Sequence, residues 1–229
     1  MTESVRHTSV YSIAAILFCL IYFSGCSEKK NPQKKESAVM QETSDTSLLF
    51  DGKSLDGWEI TNFGPQGPVY VSGNEIILGM GDGCTGITWK RAFPRTLYEV
   101  SLDARRVAGN DFFCGITFPV GKSPCTLIVG GWGGATVGLS SINGRDAAEN
   151  ETTKKISFEK NRWYHIRLLV TDESIKSWID SVEVIDFTIG NKKLSIRPEV
   201  ELSRPFGIAS WTTTASIRNI RLRRLAQKD

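Results

Sequence analysis

The feature that most constrains this chain is a strict alternation of apolar and polar residues in the segments that follow Leu48. In LYEVSLDA (97–104) and in WYHIRLLV (163–170), every second residue is apolar. Successive side chains of a β-strand point to opposite faces, so this period of two predicts strands that bury one face. No long helical period and no repeat of fixed length interrupts the pattern. We therefore predict an all-β domain.

Turn signals between the alternating segments indicate how the strands are joined. Gly, Pro and Asn separate them, and the chain contains 21 glycines. SIKSWIDSVEVIDF (174–187) predicts a hairpin that turns at Asp180 and Ser181. The final segment, SIRNIRLRRL (216–225), alternates only if a β-bulge lies near Asn219. Short strands at near-regular spacing favour a sandwich of antiparallel sheets.

The N-terminal segment has a different character from the strand-rich region. An apolar run, VYSIAAILFCLIYF (10–23), has the length of a signal-peptide core and ends at FSGC, which resembles a bacterial lipobox. We expect residues 1–26 to be a lipoprotein signal peptide with Cys26 as the lipidated residue. The alternative is an uncleaved signal anchor. The lipid anchor would place an exported protein on a membrane of the cell envelope.

Composition separates a tether from the domain and excludes one class of partner. The polar residues 27–47 have almost no apolar periodicity and predict a flexible tether, so the domain is expected to span 48–229. The formal net charge is only +3. This balance gives no basic surface of the kind that nucleic-acid binding requires, and we expect no nucleic-acid partner.

Three cysteines lie in the predicted domain, namely Cys84, Cys114 and Cys125. Because their number is odd, at least one has no partner in its own chain. Cys114 and Cys125 flank GITFPVGKSP, which predicts a hairpin loop. An exported protein permits a disulfide between them. Two buried free thiols are the alternative.

The segment GRDAAENETT (144–153) carries three carboxylates close together. If it is extended, Glu149 and Glu151 leave the same side of the chain with Cα atoms roughly 6.6 Å apart. Two such carboxylates could converge on a sugar or on a hard cation such as Ca²⁺. Asp146 could join them, and Asn150 is a further candidate for binding substrate. The alternative is an acidic loop in solvent.

Three further residues are candidates outside the acidic segment. Trp132, within GGWGG (130–134), could be presented for stacking on a sugar ring or could fill the core. Asp111 is predicted at the mouth of a strand. His165 is the only histidine of the domain and lies opposite the apolar face of its strand, facing a cleft or water. The glycine run lacks phosphate-loop spacing, so a nucleotide site is excluded.

Several stretches resemble one bacterial domain family, the 3-keto-disaccharide hydrolases. The resemblance begins with LLFDGKSLDGWEI (48–60) and covers nearly all of 48–225. It continues through YEVSLDARRVAGNDFFCGITF, NRWYHIRLLVTDESIKSWIDSVEVIDF and FGIASWTTTASIRNIRLRRL. FFCGITFPVG, CTLIVGGWGG and DAAENETT resemble a subgroup of exported planctomycete proteins. The resemblance implies a concanavalin A-like jelly-roll sandwich.

The family resemblance also implies chemistry on glycosides that are oxidised to a ketone at C3. A base removes the acidified C2 hydrogen, the C1 substituent leaves, and water adds to give net hydrolysis. Such a site needs a carboxylate or histidine base, for which Glu149, Glu151 and His165 are the candidates. A divalent cation such as Ca²⁺ could stabilise the enolate. The alternatives are a non-catalytic, lectin-like glycan-binding module and a structural, partner-binding lipoprotein.

Overall fold

The computed structural model describes residues 46–226. The predicted signal peptide, the lipidation site at Cys26 and nearly all of the predicted tether lie outside the described residues. Within the described part of the chain, no helix is long and apolar enough to cross a membrane.

The described residues form fifteen strands, numbered β1 to β15 along the chain, in two antiparallel sheets. Sheet A contains β1 (Thr46–Leu48), β3 (Val69–Ser72), β4 (Glu75–Leu78), β6 (Tyr98–Ala108), β11 (Tyr164–Val170), β12 (Ser174–Ile179), β13 (Val182–Thr188) and β15 (Thr214–Arg224). Sheet B contains β2 (Trp58–Ile60), β5 (Cys84–Trp89), β7 (Cys114–Val120), β8 (Ser123–Gly131), β9 (Thr136–Ser140), β10 (Lys154–Lys155) and β14 (Gly207–Trp211).

Strand order shows a sandwich built from non-consecutive neighbours. Sheet A runs β13-β12-β11-β6-β15-β4-β3, with β1 beside β15, and sheet B runs β10-β9-β8-β7-β14-β5-β2. One 3₁₀ helix, Pro198–Ser203, precedes β14. The predicted all-β, concanavalin A-like sandwich is therefore confirmed.

The alternation seen in the sequence decides which side chains enter the core between the sheets. In β6, Tyr98, Val100, Leu102 and Ala104 are each at most 1% exposed, whereas the residues between them are partly exposed. In β11, His165 and Arg167 likewise alternate with buried apolar residues. Removing this apolar surface from water is the main stabilising contribution to such a sandwich.

Two predicted irregularities are also confirmed. The hairpin between β12 and β13 turns at Asp180 and Ser181, and Asp180 has a left-handed φ of 55°. In β15 the pairing with β6 shifts register between Arg218 and Arg221, and Asn219 there has φ 56°. Aspartate and asparagine tolerate this left-handed conformation better than most residues, which explains their presence at both positions.

Sheet B differs from sheet A because its outer face is also covered. Leu127 and Val129 of β8 join the main core, but Ile128 between them joins a second, smaller apolar cluster. Glycines on this outer face let the covering segments lie close to the sheet. A Cβ atom on Gly138 would lie 2.8 Å from the carbonyl oxygen of Ala147, and one on Gly207 would lie 2.7 Å from that of Ser203.

The cysteines are free and buried in the described structure. The predicted hairpin between Cys114 and Cys125 forms, as β7 and β8. Its register places Cys114 opposite Val129 and Cys125 opposite Phe118, so the two cysteines are not cross-strand partners. Of the two alternatives, free thiols are therefore observed. Burial raises the pKa of both thiols, that of Cys125 to about 12.

Candidate functional site

A cavity of about 260 Å³ opens on the outer face of sheet B; we call it cavity 1. Its floor comes from β5, β8 and β9, and its walls come from the loops beyond them and from the 3₁₀ helix. It is lined by Cys84, Asp111, Phe112, Thr126, Ile128, Trp132, Ser140, Arg197, Glu199, Val200 and Trp211. The cavity therefore combines aromatic and aliphatic surface with three charged side chains, the composition expected of a small-molecule site.

Trp132 lies on the turn between β8 and β9 and lines cavity 1. Its side chain is 41% exposed, and its φ of 47° is a conformation that bulky residues rarely adopt. Of the two possibilities left open by the sequence, the structure shows a tryptophan presented at the cavity and not one that fills the core.

Asp111 lines the same cavity from the loop between β6 and β7. Its Oδ1 accepts the backbone N–H of Phe112 at 2.7 Å, and its Oδ2 accepts the N–H of Gly133 at 3.4 Å. The backbone N–H of Asp111 donates to the hydroxyl oxygen of Thr213 at 3.1 Å. These bonds tie the Asp111 loop to the turn that carries Trp132.

Arg197 connects two carboxylates at the border of cavity 1. Its Nη1 lies 3.1 Å from Oδ2 of Asp146, and its Nη2 lies 2.8 Å from Oε1 of Glu199. The hydrogen bond with Glu199 is the main cause of the raised pKa of Arg197, and the same bond lowers the pKa of the Glu199 carboxyl. One guanidinium therefore holds the side chains of Asp146 and Glu199 together at this border.

A second cavity, of about 460 Å³, adjoins the first; we call it cavity 2. Arg197 and Glu199 line both cavities, so this pair forms the wall between them. Cavity 2 is the more polar of the two and is lined by Ser141, Gly144, Asp146, Glu149, Ser195, Ile196, Arg197, Pro198 and Glu199. The two cavities together form one cleft along the outer face of sheet B.

The expected convergence of Glu149 and Glu151 is not observed. Residues 144–153 form turns and not an extended strand, so the assumption of a shared side was wrong. Glu149 lines cavity 2, whereas Glu151 lines a separate cavity beside β13 and forms an ion pair with Lys192 at 2.7 Å. Of the acidic segment, Asp146 and Glu149 reach the cleft.

Asn150 explains why the acidic segment turns. Its Nδ2 donates to the carbonyl oxygens of Leu139, Arg145 and Asp146 at 2.7, 3.1 and 2.7 Å. Its Oδ1 accepts the backbone N–H of Thr152 at 2.9 Å. These bonds fold the segment onto β9, so the Asn150 side chain is committed to the loop.

His165 lies on the outer face of sheet A and lines neither cavity of the cleft. Its Nδ1 is 2.8 Å from Oδ1 of Asp103, whose other oxygen accepts hydrogen bonds from Asn219 and Arg218. The alternation of side chains along β11 explains this position. The buried residues on either side of His165 face the core, so His165 faces outward. The histidine and the acidic segment are therefore not brought together.

Sequence reasoning missed Arg197, Glu199 and Trp211. Arg197 and Glu199 flank Pro198 in RPE, which forms the start of the 3₁₀ helix. The signal for this pair in the sequence was two opposite charges on either side of a proline that begins a helix. Cys84 also lines cavity 1, but burial, together with the charge of Glu199, raises its pKa to about 12. It is therefore a poor nucleophile.

The donors of a cation site are not assembled where the sequence suggested. Glu149 and Glu151 line different cavities. Within residues 46–226, no group of three or more His, Cys, Asp or Glu side chains is placed to hold a metal ion. The Ca²⁺ ion stays a prediction, and the chemistry proposed below is not routed through it.

Solved structures that resemble this chain are sandwiches with low sequence identity. One is a protein of Parabacteroides distasonis ATCC 8503 described as a glycosyl hydrolase, with 14% identity, TM-score 0.53, and coverage of 79% of this chain and 94% of that one. Another is a Bacillus subtilis protein with a galectin-like fold, with 9% identity, TM-score 0.55, and coverage of 76% and 91%. A third is the VIP36 exoplasmic/lumenal domain in its Ca²⁺/Man3GlcNAc-bound form, with 10% identity, TM-score 0.54, and coverage of 79% and 89%. At these identities the likeness shows the fold.

Sequence comparison assigns the family. No curated protein matches the chain. The model of the 3-keto-alpha-glucoside-1,2-lyase-like domain matches residues 45–223, which is most of the chain and nearly all of the described sandwich. The resemblance inferred from LLFDGKSLDGWEI and the later strands is thus confirmed, and the protein is assigned to a carbohydrate-related family. The chain belongs to the 3-keto-alpha-glucoside-1,2-lyase-like domain family.

Proposed function

We propose that this domain cleaves 3-keto-glycosides in the cleft on the outer face of sheet B, by β-elimination followed by hydration. The observation that carries the proposal is the position of Arg197 and Glu199 at the border of cavity 1, with Asp111 and Trp132 lining the same cavity. The family name supports the substrate class. Cavity 1 brings a guanidinium, two carboxylates and an exposed tryptophan together around one space.

Four residues of the cleft have a role in the first half of the reaction. Glu199 takes the proton from C2, and Arg197 beside it stabilises the negative charge that develops on the C3 oxygen. The bond between C1 and the glycosidic oxygen breaks, a double bond forms between C1 and C2, and Asp111 relays a proton from a water molecule to the leaving oxygen. Trp132 packs against the sugar ring.

Hydration completes the reaction by reversing the proton transfer. Water adds its oxygen to C1, and the proton held by Glu199 returns to C2, so that the sum of both steps is hydrolysis. The proton that this water loses is the one that Asp111 relays to the leaving oxygen. Both carboxylates thereby end in their starting forms.

Cavity 2 supports a place for the leaving group. It adjoins cavity 1 through Arg197 and Glu199 and is lined mostly by polar residues. A keto-sugar in cavity 1 would place its C1 substituent toward this wall. The carboxylates of Asp146 and Glu149 favour neutral or cationic leaving groups over anionic ones, because like charges repel.

A lectin-like module that binds glycans without cleaving them is the second candidate. One observation favours it: the hydrogen bond from Arg197 lowers the pKa of Glu199, which makes this carboxylate a weaker base. Stacking on Trp132 and hydrogen bonds from Arg197 would serve binding alone equally well. This candidate predicts affinity for the sugar without release of product.

The decisive experiment for the reaction compares two substrates that differ only at C3. Purified protein is incubated with 4-nitrophenyl 3-keto-α-glucoside and with the parent glucoside, and released 4-nitrophenol is measured. We expect release from the ketone alone. Equal release from both would contradict the elimination route, and binding of the ketone without any release would support the lectin-like alternative.

Envelope tethering is a separate part of the proposal. The lipobox-like FSGC supports acylation of Cys26, which would hold the domain at a membrane surface. Labelling of the full chain with a lipid analogue in a bacterial host should be lost in the variant Cys26→Ser. Equal labelling of both proteins would contradict the anchor.

A further inference from the structure

Arg106 is a buried charged residue that the proposed reaction does not use. It lies on β6, is 6% exposed, and has its guanidinium carbon 5.3 Å from the ring centroid of Phe113. Burying a guanidinium is costly unless hydrogen bonds compensate. Its Nη2 donates to the carbonyl oxygen of Gly134 at 2.8 Å and to that of Gly130 at 3.3 Å, whereas its Nε is buried without a partner.

Those two carbonyls bracket Trp132. Gly130 precedes the tryptophan by two residues and Gly134 follows it by two, so one guanidinium clamps both ends of the turn. Within the turn, the N–H of Gly134 donates to the carbonyl oxygen of Gly131 at 3.2 Å, and on the cavity side the N–H of Gly133 donates to Asp111. The exposed indole is thus carried by a short segment that is fixed at both ends.

The glycines of GGWGG are explained by this clamp. Gly130 and Gly134 have φ angles of 80° and 102°, which favour glycine. A Cβ atom on Gly130 would lie 2.7 Å from Nη2 of Arg106, and one on Gly134 would lie 2.9 Å from the carbonyl oxygen of Asn110 and 3.2 Å from Nη1 of Arg106. Both glycines therefore combine an unusual backbone conformation with close approach of the guanidinium.

Arg106 also interacts with Asp111, the other residue on this side of cavity 1 that has a role in the proposed reaction. Burial lowers the pKa of Arg106, and the negative charge of Asp111 partly opposes that shift. Asp111 is in turn bonded to Gly133 within the clamped turn. The guanidinium consequently lies behind both Trp132 and Asp111.

We infer that Arg106 is a positioning residue, which holds the Trp132 turn in place and thereby sets how tightly cavity 1 binds a sugar ring. The inference concerns the site of the proposed function and rests on it. Arg106 does not touch the cavity, since it is absent from the residues that line it. Its effect is therefore on substrate binding through Trp132.

The test compares Arg106→Lys with Arg105→Lys. Lysine keeps the charge, but it places an ammonium on a flexible stem where Arg106 holds one Nη2 atom of a rigid, planar guanidinium against both carbonyls. Arg105 is the matched control because it lies on the opposite face of β6, where it pairs with Glu75 at 2.8 Å. Gly134→Ala is a second variant that disturbs the same clamp from the other side.

The first readout needs no substrate. Iodide quenching of tryptophan fluorescence is measured for each variant with and without the additional change Trp132→Phe, so that the difference isolates Trp132. We expect Arg106→Lys and Gly134→Ala to make Trp132 more accessible to iodide, and Arg105→Lys to leave it unchanged. Equal quenching in all proteins would overturn the inference, whether or not the protein turns over a keto-glycoside.

The second readout separates binding from chemistry. With 4-nitrophenyl 3-keto-α-glucoside, Arg106→Lys should raise KM by on the order of tenfold and leave kcat nearly unchanged. In the Trp132→Ala background the same change should add little, because coupled residues are non-additive. A drop in kcat at constant KM, or full additivity, would contradict a role through Trp132. Failure of the wild type to release product would count against the proposed function alone.

Discussion

Trp132 shows at the scale of single residues how backbone conformation serves a site. Its left-handed φ of 47° turns the indole toward cavity 1, and the side chain keeps 41% of its surface exposed. Strained conformations of bulky residues persist only when their surroundings fix them. Here the fixing contacts come from Arg106 and Asp111.

Replacing Trp132 tests its role in binding. Trp132→Ala removes the surface that would stack on the sugar, so KM for a 3-keto-glycoside should rise by about tenfold or more while kcat changes little. Steady-state kinetics measures both constants. Trp211, which also lines cavity 1, serves for comparison through Trp211→Phe. An unchanged KM for Trp132→Ala would rule out stacking.

The hydrogen bonds of the Asn150 side chain stabilise the loop and do not serve the binding of a substrate. Asn150→Ala removes the hydrogen bonds of its amide to three carbonyl oxygens, of which those of Arg145 and Asp146 keep a backbone donor, and we expect a loss of about 1–3 kcal/mol in the free energy of unfolding. Glu151→Gln is the control, because an exposed ion pair contributes only about 0–1 kcal/mol. Urea denaturation measures both variants. Equal losses would refute the structural role of Asn150.

Local sequence patterns could indicate single candidates but not their neighbours in space. Four residues that were predicted as site residues from their chemistry line the cleft, namely Asp111, Trp132, Asp146 and Glu149. His165 was equally suitable in chemistry, yet strand parity places it on the outer face of the other sheet. The direction of a polar side chain depends on which sheet carries its strand, and alternation alone does not contain that information.

At the scale of secondary structure, sheet B shows why the segments that cover its outer face could not be predicted from the sequence. Alternation predicted the strands, the hairpin at Asp180 and the bulge near Asn219, since all three depend on residues adjacent in sequence. Coverage of the outer face depends on contacts between distant segments. Gly138 touches Ala147, and Gly207 touches Ser203, only after folding.

Gly138 offers a test of that coverage. A Cβ atom there would lie 2.8 Å from the carbonyl oxygen of Ala147, so Gly138→Ala must push the acidic segment away from β9. Overpacking of this kind costs roughly 1–3 kcal/mol of stability. We also expect weaker turnover, because Asp146 and Glu149 move with the segment. Thermal unfolding and product release measure the two effects, and wild-type values in both would contradict the packing described.

At the scale of the whole molecule, the two outer faces of the sandwich have different roles. The cleft lies on sheet B, whereas the outer face of sheet A carries a network of ion pairs around Asp103. Burial opposes ionisation of Asp103, but hydrogen bonds from His165, Asn219 and Arg218 outweigh it, so the pKa of its carboxyl lies below the usual value. We assign this network to stability.

The lowered pKa of Asp103 determines in which direction its contribution to stability changes with pH. A carboxyl whose pKa is lower in the folded state stabilises the fold fully above its unfolded pKa, about 3.9, and loses this contribution as the pH falls toward the folded value. The difference in unfolding free energy between wild type and Asp103→Asn should therefore shrink below about pH 4. Chemical denaturation across pH 2 to 7 measures it, and a difference that stays constant with pH would contradict the assignment.

The fold of the described domain was predictable, while its site was predictable only in part. Alternation and the family resemblance both led to the sandwich because they are properties of continuous segments. The cleft joins the Asp111 loop, the Trp132 turn, the acidic segment and the Arg197–Glu199 pair, which are distant in sequence. Arg197 and Glu199 stand out only once Asp146 is seen beside them.

The location of catalysis is the central claim, and one comparison of rates tests it most directly. Release of 4-nitrophenol from 4-nitrophenyl 3-keto-α-glucoside is measured side by side for the wild type, Glu199→Gln and His165→Gln. If the cleft on sheet B is the site, Glu199→Gln abolishes release and His165→Gln keeps the wild-type rate. Loss of activity in His165→Gln together with an active Glu199→Gln would place the chemistry on sheet A and contradict the claim.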